Sequence, residues 1–255
     1  MRPFRSVLAF LAIALAATVA PTEADAPVQT FEVSARSISN FRLGSEDRNF
    51  GPLEFVGGLE MTSRAADFGG LSSFRFLEPG SRFIGVADTG FWFFGTIARD
   101  ADGRPTGIAD FRMQQMVDKN GTPVDRKWEV DAEGLDVKDG IATVGFERNH
   151  RIAQYRIDPA GMGPAFREVP FLVPAHELRQ NKGFETVTRA HPYGQHEGGL
   201  VVVSERSIDK KGNVFAAIIE GPNKGVFTVK RDGDFDITDG AFLPDGDLLL
   251  LERRF

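Results

Sequence analysis

The sequence of 255 residues contains no cysteine. This absence excludes disulfide bonds, thiolate zinc sites, iron–sulfur clusters and cysteine nucleophiles, so any metal site must use oxygen or nitrogen ligands. Tryptophan and tyrosine are scarce, with two of each, whereas phenylalanine occurs 23 times. Positive charge is in deficit, because 30 lysines and arginines face 36 aspartates and glutamates and leave a net charge of −6. A broad basic surface for nucleic acid is therefore not expected.

Long apolar runs are missing except at the start of the chain. Two arginines precede an apolar run from Val7 to Val19, and small and polar residues follow as far as Ala26. This pattern is typical of a secretory signal peptide, which we assign to residues 1–26. The run is shorter than the roughly 20 residues that a membrane-spanning helix needs, so no stable membrane span is expected after signal removal, and a retained anchor is the alternative. The sequence thus predicts a bacterial protein of residues 27–255 that is periplasmic or secreted.

Helical patterns are also rare, because 28 glycines and 14 prolines interrupt the sequence at short intervals. Short strands separated by turns are expected instead. Three apolar strands end in the same dipeptide, Glu-Arg, at Glu147, Glu205 and Glu252, and a fourth ends in Asp88. These strand ends recur at intervals of roughly 50 residues, which is typical of a four-stranded propeller blade.

The strand before Glu205, Leu200–Ser204, is largely apolar on both faces and yet ends in a carboxylate. In a propeller, neighbouring sheets cover both faces of each blade while the strand ends open onto a channel. The sequence therefore predicts an all-β fold, a β-propeller of four-stranded blades, with a β-sandwich as the alternative. Residues 27–255 suffice for about four blades, so we expect a six-bladed propeller that is truncated at the C-terminus, or else a closed four-bladed one.

A second recurring pattern lies at the start of the strand that precedes each of these apolar strands. Three of its four copies contain an acidic residue. If these strand starts and the strand ends all lie near one axis, seven carboxylates converge there: Asp88, Glu133, Glu147, Glu185, Glu205, Asp239 and Glu252. Crowded carboxylates repel each other unless a cation lies among them, and a set of hard oxygen ligands favours calcium over zinc. The sequence therefore predicts a calcium site. The alternative is structural, with each glutamate paired to a neighbouring arginine.

The arginines of the recurring dipeptides favour an anionic ligand. A guanidinium group presents planar donors that match phosphate or carboxylate oxygens, so Arg148 and Arg206 are candidates for holding a small anionic ester substrate. His150 follows closely after Glu147 and is a candidate general acid or base, with a solvated surface histidine as the alternative. We assign Glu147, Arg148, His150 and Arg206 as candidate catalytic residues. The sequence has no nucleotide-binding loop, serine-hydrolase elbow or His-Glu-x-x-His motif.

The same segments resemble those of a known family. In chain order they are Gly69-Gly70-Leu71-Ser72, Val86-Ala87-Asp88-Thr89-Gly90, Asp131-Ala132-Glu133-Gly134-Leu135, Phe146-Glu147-Arg148-Asn149-His150-Arg151, Asn181-Lys182-Gly183-Phe184-Glu185, and Asp236-Ile237-Thr238-Asp239-Gly240 through Leu251-Glu252-Arg253-Arg254. As an ordered set over about residues 54–255, they resemble the phytase-like domain family, whose bacterial members are often titled esterase-like activity of phytase family proteins.

This resemblance implies an exported β-propeller from a Gram-negative bacterium that hydrolyses phosphate or other esters with the help of a metal. Members of the family are longer than this chain, which agrees with the expected truncation. We therefore expect a calcium-assisted hydrolase. The alternative is a non-enzymatic periplasmic propeller that binds a ligand or a protein partner.

Overall fold

The computed structural model of the protein describes residues 26–254, so the predicted signal peptide lies outside the described residues except for Ala26. The strands are β1 (Gln29–Thr30), β2 (Ser34–Ile38), β3 (Asn49–Phe50), β4 (Leu53–Glu54), β5 (Gly58–Thr62), β6 (Leu71–Phe76), β7 (Arg82–Ala87), β8 (Phe91–Arg99), β9 (Pro105–Gln115), β10 (Ala132–Lys138), β11 (Ile141–Phe146), β12 (Arg151–Arg156), β13 (Arg167–Val169), β14 (Phe184–Arg189), β15 (Leu200–Ile208), β16 (Val214–Glu220), β17 (Gly225–Val229), β18 (Asp236–Phe242) and β19 (Leu248–Arg253). Helical structure in this part of the chain is limited to single 3-10 turns at Lys127–Glu129 and Ala175–Glu177. The predicted all-β class is confirmed.

Most strands belong to four antiparallel sheets that follow one another along the chain. The first sheet has the order β1-β9-β8-β7-β6, the second β10-β11-β12-β13, the third β14-β15-β16-β17 and the fourth β18-β19. Two smaller pairs, β2 with β5 and β3 with β4, complete the N-terminal part, where β2 also contacts β9. The second and third sheets are four-stranded units of the predicted kind. None of the sheets in the described residues closes on itself, and the propeller with its number of blades stays a prediction.

Tight turns keep consecutive strands of a sheet antiparallel. Asp139 and Gly140 alone join β10 to β11, and both have positive φ, at 50° and 74°. Asp-Gly suits this conformation because glycine has no Cβ and aspartate tolerates the left-handed region. This dipeptide therefore forms one of the tight turns that the glycine-rich sequence predicts.

One edge strand of each sheet packs against the corresponding strand of the next sheet. We call these edge strands, β6, β10, β14 and β18, the first strands of the four sheets, and we call their neighbours β7, β11, β15 and β19 the second strands. β10 contacts both β6 and β14, and β14 in turn contacts β18. The approach of β10 to β14 is close, because a Cβ added to Gly134 would lie 2.8 Å from Cγ2 of Val187 and 2.9 Å from the carbonyl oxygen of Glu185. Glycine therefore lets two strands of different sheets meet at the backbone, and this meeting brings their ends together.

Apolar side chains fill the three spaces between successive sheets. Trp92 of the first sheet and Phe146 of the second belong to one buried cluster, and Ile152 and Phe184 belong to the next. The strand β15 contributes Val202 to the second cluster and Val201 and Val203 to a third. Successive residues of a strand point to opposite faces. The strand before Glu205 is thus buried on both faces, as the sequence predicts.

Some apolar side chains at the two ends of this series of sheets remain exposed. On β6, Phe74 is 46% exposed and Phe76 is 40% exposed, and on β19 the corresponding fractions are 49% for Leu249 and 64% for Leu251.

Within residues 26–254, no helix is long and apolar enough to cross a membrane.

Candidate functional site

A β-bulge interrupts the first strand of each of the four sheets at an equivalent place. The extra residues are Ser72, Glu133, Glu185 and Thr238. A bulge leaves one residue without a cross-strand partner and changes the direction of its side chain. In the second and third sheets, the residue at the bulge is a glutamate. It lies near the last residue pair between the first and second strands of its sheet.

The second strands of the first three sheets each place a carboxylate next to these bulges. Asp88, Glu147 and Glu205 directly follow the last residue that pairs with the first strand. Their backbone N–H groups donate to the carbonyl oxygens of Gly70, Asp131 and Gly183, each at 2.8 Å. These bonds hold the three carboxylates at equivalent positions in successive sheets.

Two clusters of carboxylates result from this arrangement. The first cluster consists of Asp88, Asp131 and Glu133, and the second of Glu147, Glu185 and Glu205. In each cluster, one oxygen from every residue lies within 4.8 Å of the others. The clusters are electrostatically linked, because the charge of Glu147 acts on Glu133 and the charge of Glu133 acts on Glu185. The structure thus brings five of the seven predicted metal ligands together and adds Asp131.

Asp239 and Glu252 lie outside both clusters. In the fourth sheet, Glu252 pairs with Ile237, and Arg253 takes the position that a carboxylate holds in the first three sheets. Asp239 lies one residue beyond the bulge and binds the guanidinium group of Arg75 at 2.7 Å. A shift of one residue moves a strand side chain to the opposite face. The fourth sheet therefore does not place carboxylates where the other three sheets do, although it contains the same Glu-Arg dipeptide.

Three cations partly neutralise the clusters. Nζ of Lys127 lies 2.7 Å from Asp88, Nε of Arg148 lies 2.6 Å from Asp131, and Nζ of Lys182 lies 2.6 Å from Glu205. Neither lysine is predicted as a site residue from the sequence. Lys182 directly precedes the recurring segment at residues 183–185, but nothing in the sequence indicates that it contacts Glu205 in the next strand.

The remaining carboxylates of the clusters have strongly raised pKa values, although the charge of Lys182 opposes the rise for Glu147 and that of Arg253 opposes it for Glu185. Burial is the main cause, and neighbouring carboxylates add to it: the pKa rises to about 10 for Glu185, about 8 for Glu133 and about 7 for Glu147. The Gly183 N–H group donates to Oε1 of Glu147 at 2.7 Å and so opposes the rise there. Such values mark a place where charge is crowded and desolvated, which is common at functional sites.

His150 packs beside Glu147. A Cβ on Gly183 would lie 2.7 Å from Nδ1 of His150 and 3.4 Å from Cγ of Glu147, so the glycine allows both side chains to approach this point. Burial lowers the pKa of His150, and both of its ring nitrogens are buried without a hydrogen-bond partner among the described residues. The histidine is therefore partly enclosed and not fully solvated.

Arg206 belongs to a different ion-pair network. Its Nη1 lies 3.4 Å from Asp236, which also binds Arg231 at 3.1 Å and lies 3.8 Å from Lys182. Arg148 and Arg206 thus have carboxylate partners in different places, Asp131 directly before the second sheet and Asp236 in the fourth. Lys182 connects the network of Asp236 to the second cluster, because it contacts both Asp236 and Glu205.

The clusters can hold a metal ion. Calcium binds oxygen ligands at about 2.3–2.6 Å, so ligands on opposite sides of one ion lie about 5 Å apart. The mutual spacing of up to 4.8 Å in each cluster agrees with this distance, and every donor is a carboxylate oxygen. The residues therefore fit a hard divalent cation, which would also reduce their mutual repulsion.

Comparison with known proteins identifies the family. Among solved structures, the extracellular domain of a hybrid two-component system from B. thetaiotaomicron is similar over 76% of this chain and 28% of its own, with 11% identity and a TM-score of 0.32. No curated protein sequence matches. The phytase-like family, described as having the esterase-like activity of phytase, matches residues 66–255, a range that contains both clusters. The chain belongs to this phytase-like family.

Proposed function

We propose that the protein is an exported hydrolase of phosphate or other esters that uses calcium held by the two carboxylate clusters. The convergence of Glu147, Glu185 and Glu205 from two neighbouring sheets, with oxygens within 4.8 Å of one another, carries this proposal. Membership of a family described by the esterase-like activity of phytase supports the reaction class. The signal pattern of residues 1–26 supports export to the periplasm or beyond.

When bound, calcium would act as a Lewis acid that polarises an ester and promotes ionisation of a water molecule. The chain itself positions the reactants. Because Oε1 of Glu147 accepts the N–H group of Gly183, this carboxylate has a fixed orientation and its second oxygen is left for the cation or for water. His150, packed at the same glycine, is placed to exchange a proton with a group bound there.

The arginines hold the anionic part of the ester. Arg148 uses Nε for Asp131, and its side chain is 42% exposed, so its outer N–H groups remain for a phosphate or carboxylate oxygen. Arg206 is tied more loosely to Asp236 at 3.4 Å and is 38% exposed. In this proposal both residues bind substrate, with Arg148 nearer to the first cluster.

Lys127, Arg148 and Lys182 favour a second candidate function. Each lies within 2.7 Å of a cluster carboxylate and reduces the need for a metal. On this view the clusters are structural ion pairs, and the protein binds a ligand or partner without catalysis. The two functions differ in turnover and in the effect of calcium.

Turnover of p-nitrophenyl phosphate, p-nitrophenyl acetate and phytate, measured with calcium and with EDTA, tests the proposal. We expect calcium-dependent product release that falls by about a hundredfold in Glu147→Gln, because that change removes a ligand charge without changing size. The control is Glu78→Gln, an exposed carboxylate paired with Arg82. Absence of turnover in a folded protein, both with calcium and with EDTA, would favour the second candidate.

A further inference from the structure

Arg151 lines a pocket of about 380 Å³ that the carboxylate clusters do not include. The pocket lies between the residues that follow β9 and the strands β12 and β13, and Met116, Tyr155 and Phe166 form part of its wall. Its volume falls within the range of small-molecule sites, which are mostly apolar with a few polar groups.

The position of Arg151 follows from the register of β12. Arg151 is the first residue of this strand and pairs across the sheet with Phe146. Ala153 and Tyr155, two and four residues further on, lie on the same face and are buried in the core between the first and second sheets. Arg151 therefore places a positive charge at the end of an apolar face.

The guanidinium group of Arg151 lies over the face of an aromatic ring. Its Cζ atom lies 3.7 Å from the ring centroid of Phe146, which is a close cation–π contact between cross-strand neighbours. Nη1 also donates weakly to the carbonyl oxygen of Asn149 at 3.4 Å, and the phenol of Tyr155 interacts electrostatically with the guanidinium group. These contacts fix the plane of the guanidinium group but use only part of its five N–H donors.

Among the described residues, no carboxylate lies within ion-pair distance of Arg151. Two neighbouring acids of the pocket have other partners: Glu129 binds Arg126 at 2.7 Å, and Asp118 accepts the N–H groups of Asn120 and Thr122. Burial lowers the pKa of Arg151, which reflects the cost of enclosing its charge. A partly buried cation without an ionic partner is stabilised when an anion binds beside it.

The other charges of the pocket form no ion pair with Arg151. Arg167 binds Glu220 at 2.7 Å, and Glu129 binds Arg126. Lys119 acts on its neighbour Asp118, and the charge of Glu168 acts on Arg151 from beyond ion-pair distance. The lining carries three acids and three bases in all, so an anion is attracted locally by the guanidinium group of Arg151 and not by a net positive charge of the pocket.

We propose that this pocket binds a small oxyanion, a phosphoryl or carboxylate group, on the fork of N–H donors that Arg151 presents above the ring of Phe146. A planar guanidinium group matches two oxygens of such an anion. The site goes beyond the proposed function, because it requires neither a metal nor hydrolysis. Its apolar wall suits a ligand whose anionic group is attached to a flat or apolar part.

Binding of inorganic phosphate and of benzoate, measured by calorimetry in EDTA, tests this site. We expect saturable binding of at least one probe and a loss of about tenfold or more in affinity in Arg151→Gln. Stronger binding of benzoate than of phosphate would assign the site to carboxylates with an apolar part, and the reverse order to phosphoryl groups. The matched control is Arg156→Gln in the same strand, whose guanidinium group also lies over a ring, that of Phe166, 5.0 Å from its centroid.

Unaltered affinity in Arg151→Gln, or absence of binding of both probes to the wild-type chain, would overturn the proposal. If Arg151→Gln does not fold, the wild-type chain still gives an answer: both probes should slow modification of Arg151 by phenylglyoxal, mapped by mass spectrometry, and leave Arg156 unaffected. Loss of ester turnover with oxyanion binding retained would contradict the proposed hydrolase function alone.

Discussion

Glu133 and Glu185 occupy equivalent β-bulges in two neighbouring sheets, and they are held close by the packing of β10 on β14. Burial first, and then the charge of Glu133, raises the pKa of Glu185 to about 10. The fold therefore places acidic groups together at a cost, which must be offset either by protons or by a cation. Protons and a cation differ in how they make the stability of the protein depend on pH and on calcium.

Calcium should stabilise the protein against heat. A ligand that binds only the folded state raises the free energy of unfolding by about 2.7 kcal/mol at a hundredfold excess over its Kd. We expect the melting temperature to rise with calcium and to fall to a plateau with EDTA. The variant Glu147→Gln should respond less to calcium, because one ligand of the second cluster has lost its charge.

The control for this experiment is Glu78→Gln, whose response to calcium should match that of the wild type. A purely structural role for Glu147 gives a different result, in which Glu147→Gln destabilises the protein equally with and without calcium. A wild-type melting temperature that ignores both calcium and EDTA would exclude the metal site and the calcium-dependent mechanism.

In EDTA, stability should decrease as the pH rises from about 5 to 8. An unfolded glutamate has a pKa near 4.5, whereas folding raises the pKa to about 7 for Glu147 and about 8 for Glu133. Between these values the folded state binds more protons than the unfolded state, so the free energy of unfolding falls with increasing pH. The stabilising contribution is complete below pH 4.5 and is lost as the pH passes the folded pKa values.

Melting temperatures measured across this pH range provide the check. The variant Glu185→Gln should reduce the slope and should be more stable than the wild type at pH 8 without metal, since it removes a buried acid. Calcium should also reduce the slope in the wild type, because it replaces protons that the cluster otherwise keeps. A stability that increases over the same range in EDTA would contradict this account.

The close approach of β10 and β14 should be sensitive to a single methyl group. In Gly134→Ala, the new Cβ would lie within 3.0 Å of Cγ2 of Val187, the carbonyl oxygen of Glu185 and the backbone nitrogen of Val187. Because two of these atoms belong to the backbone, we expect a loss of about 1–3 kcal/mol in the free energy of unfolding. Urea denaturation measures this loss. Gly161→Ala is the control, since a Cβ there meets no atom within 4 Å.

A small effect of Gly134→Ala, equal to that of Gly161→Ala, would show that β10 and β14 are further apart than described. A large effect should be accompanied by a weaker response to calcium, because separation of the strands also separates Glu133 from Glu185.

The strands and their grouping were predictable because they depend on local patterns. Apolar residues on both faces of residues 200–204 predicted a strand enclosed between sheets, and Val201 and Val202 indeed belong to different cores. The turn at Asp139-Gly140 was predictable from residue type alone. By contrast, the pairing of β1 with β9 joins distant parts of the chain, and no local pattern indicates it.

The candidate site was only partly predictable, because its geometry depends on register. Glu147 and Glu252 each begin a Glu-Arg dipeptide. A difference of one residue in strand pairing, however, puts Arg253 in the place of a cluster carboxylate in the fourth sheet. Lys127 and Lys182 contact carboxylates 39 and 23 residues away in sequence. Such contacts follow from how sheets pack and leave no spacing rule in the sequence.

The pair Arg75 and Asp239 tests the register of the fourth sheet. Two nitrogens of Arg75 contact the two carboxylate oxygens of Asp239, at 2.8 and 2.7 Å, and Ser73 donates to the same group at 3.1 Å. Because Asp239 thereby joins β18 to β6 and is not part of a cluster, Asp239→Asn should lower the free energy of unfolding by about 1.5–3 kcal/mol without changing the response to calcium. Denaturation of Arg75→Met, Asp239→Asn and the double variant measures the coupling, which should be of similar size. Independent effects of the two substitutions, or a lowered calcium affinity in Asp239→Asn, would return Asp239 to the metal ligands that the sequence predicts.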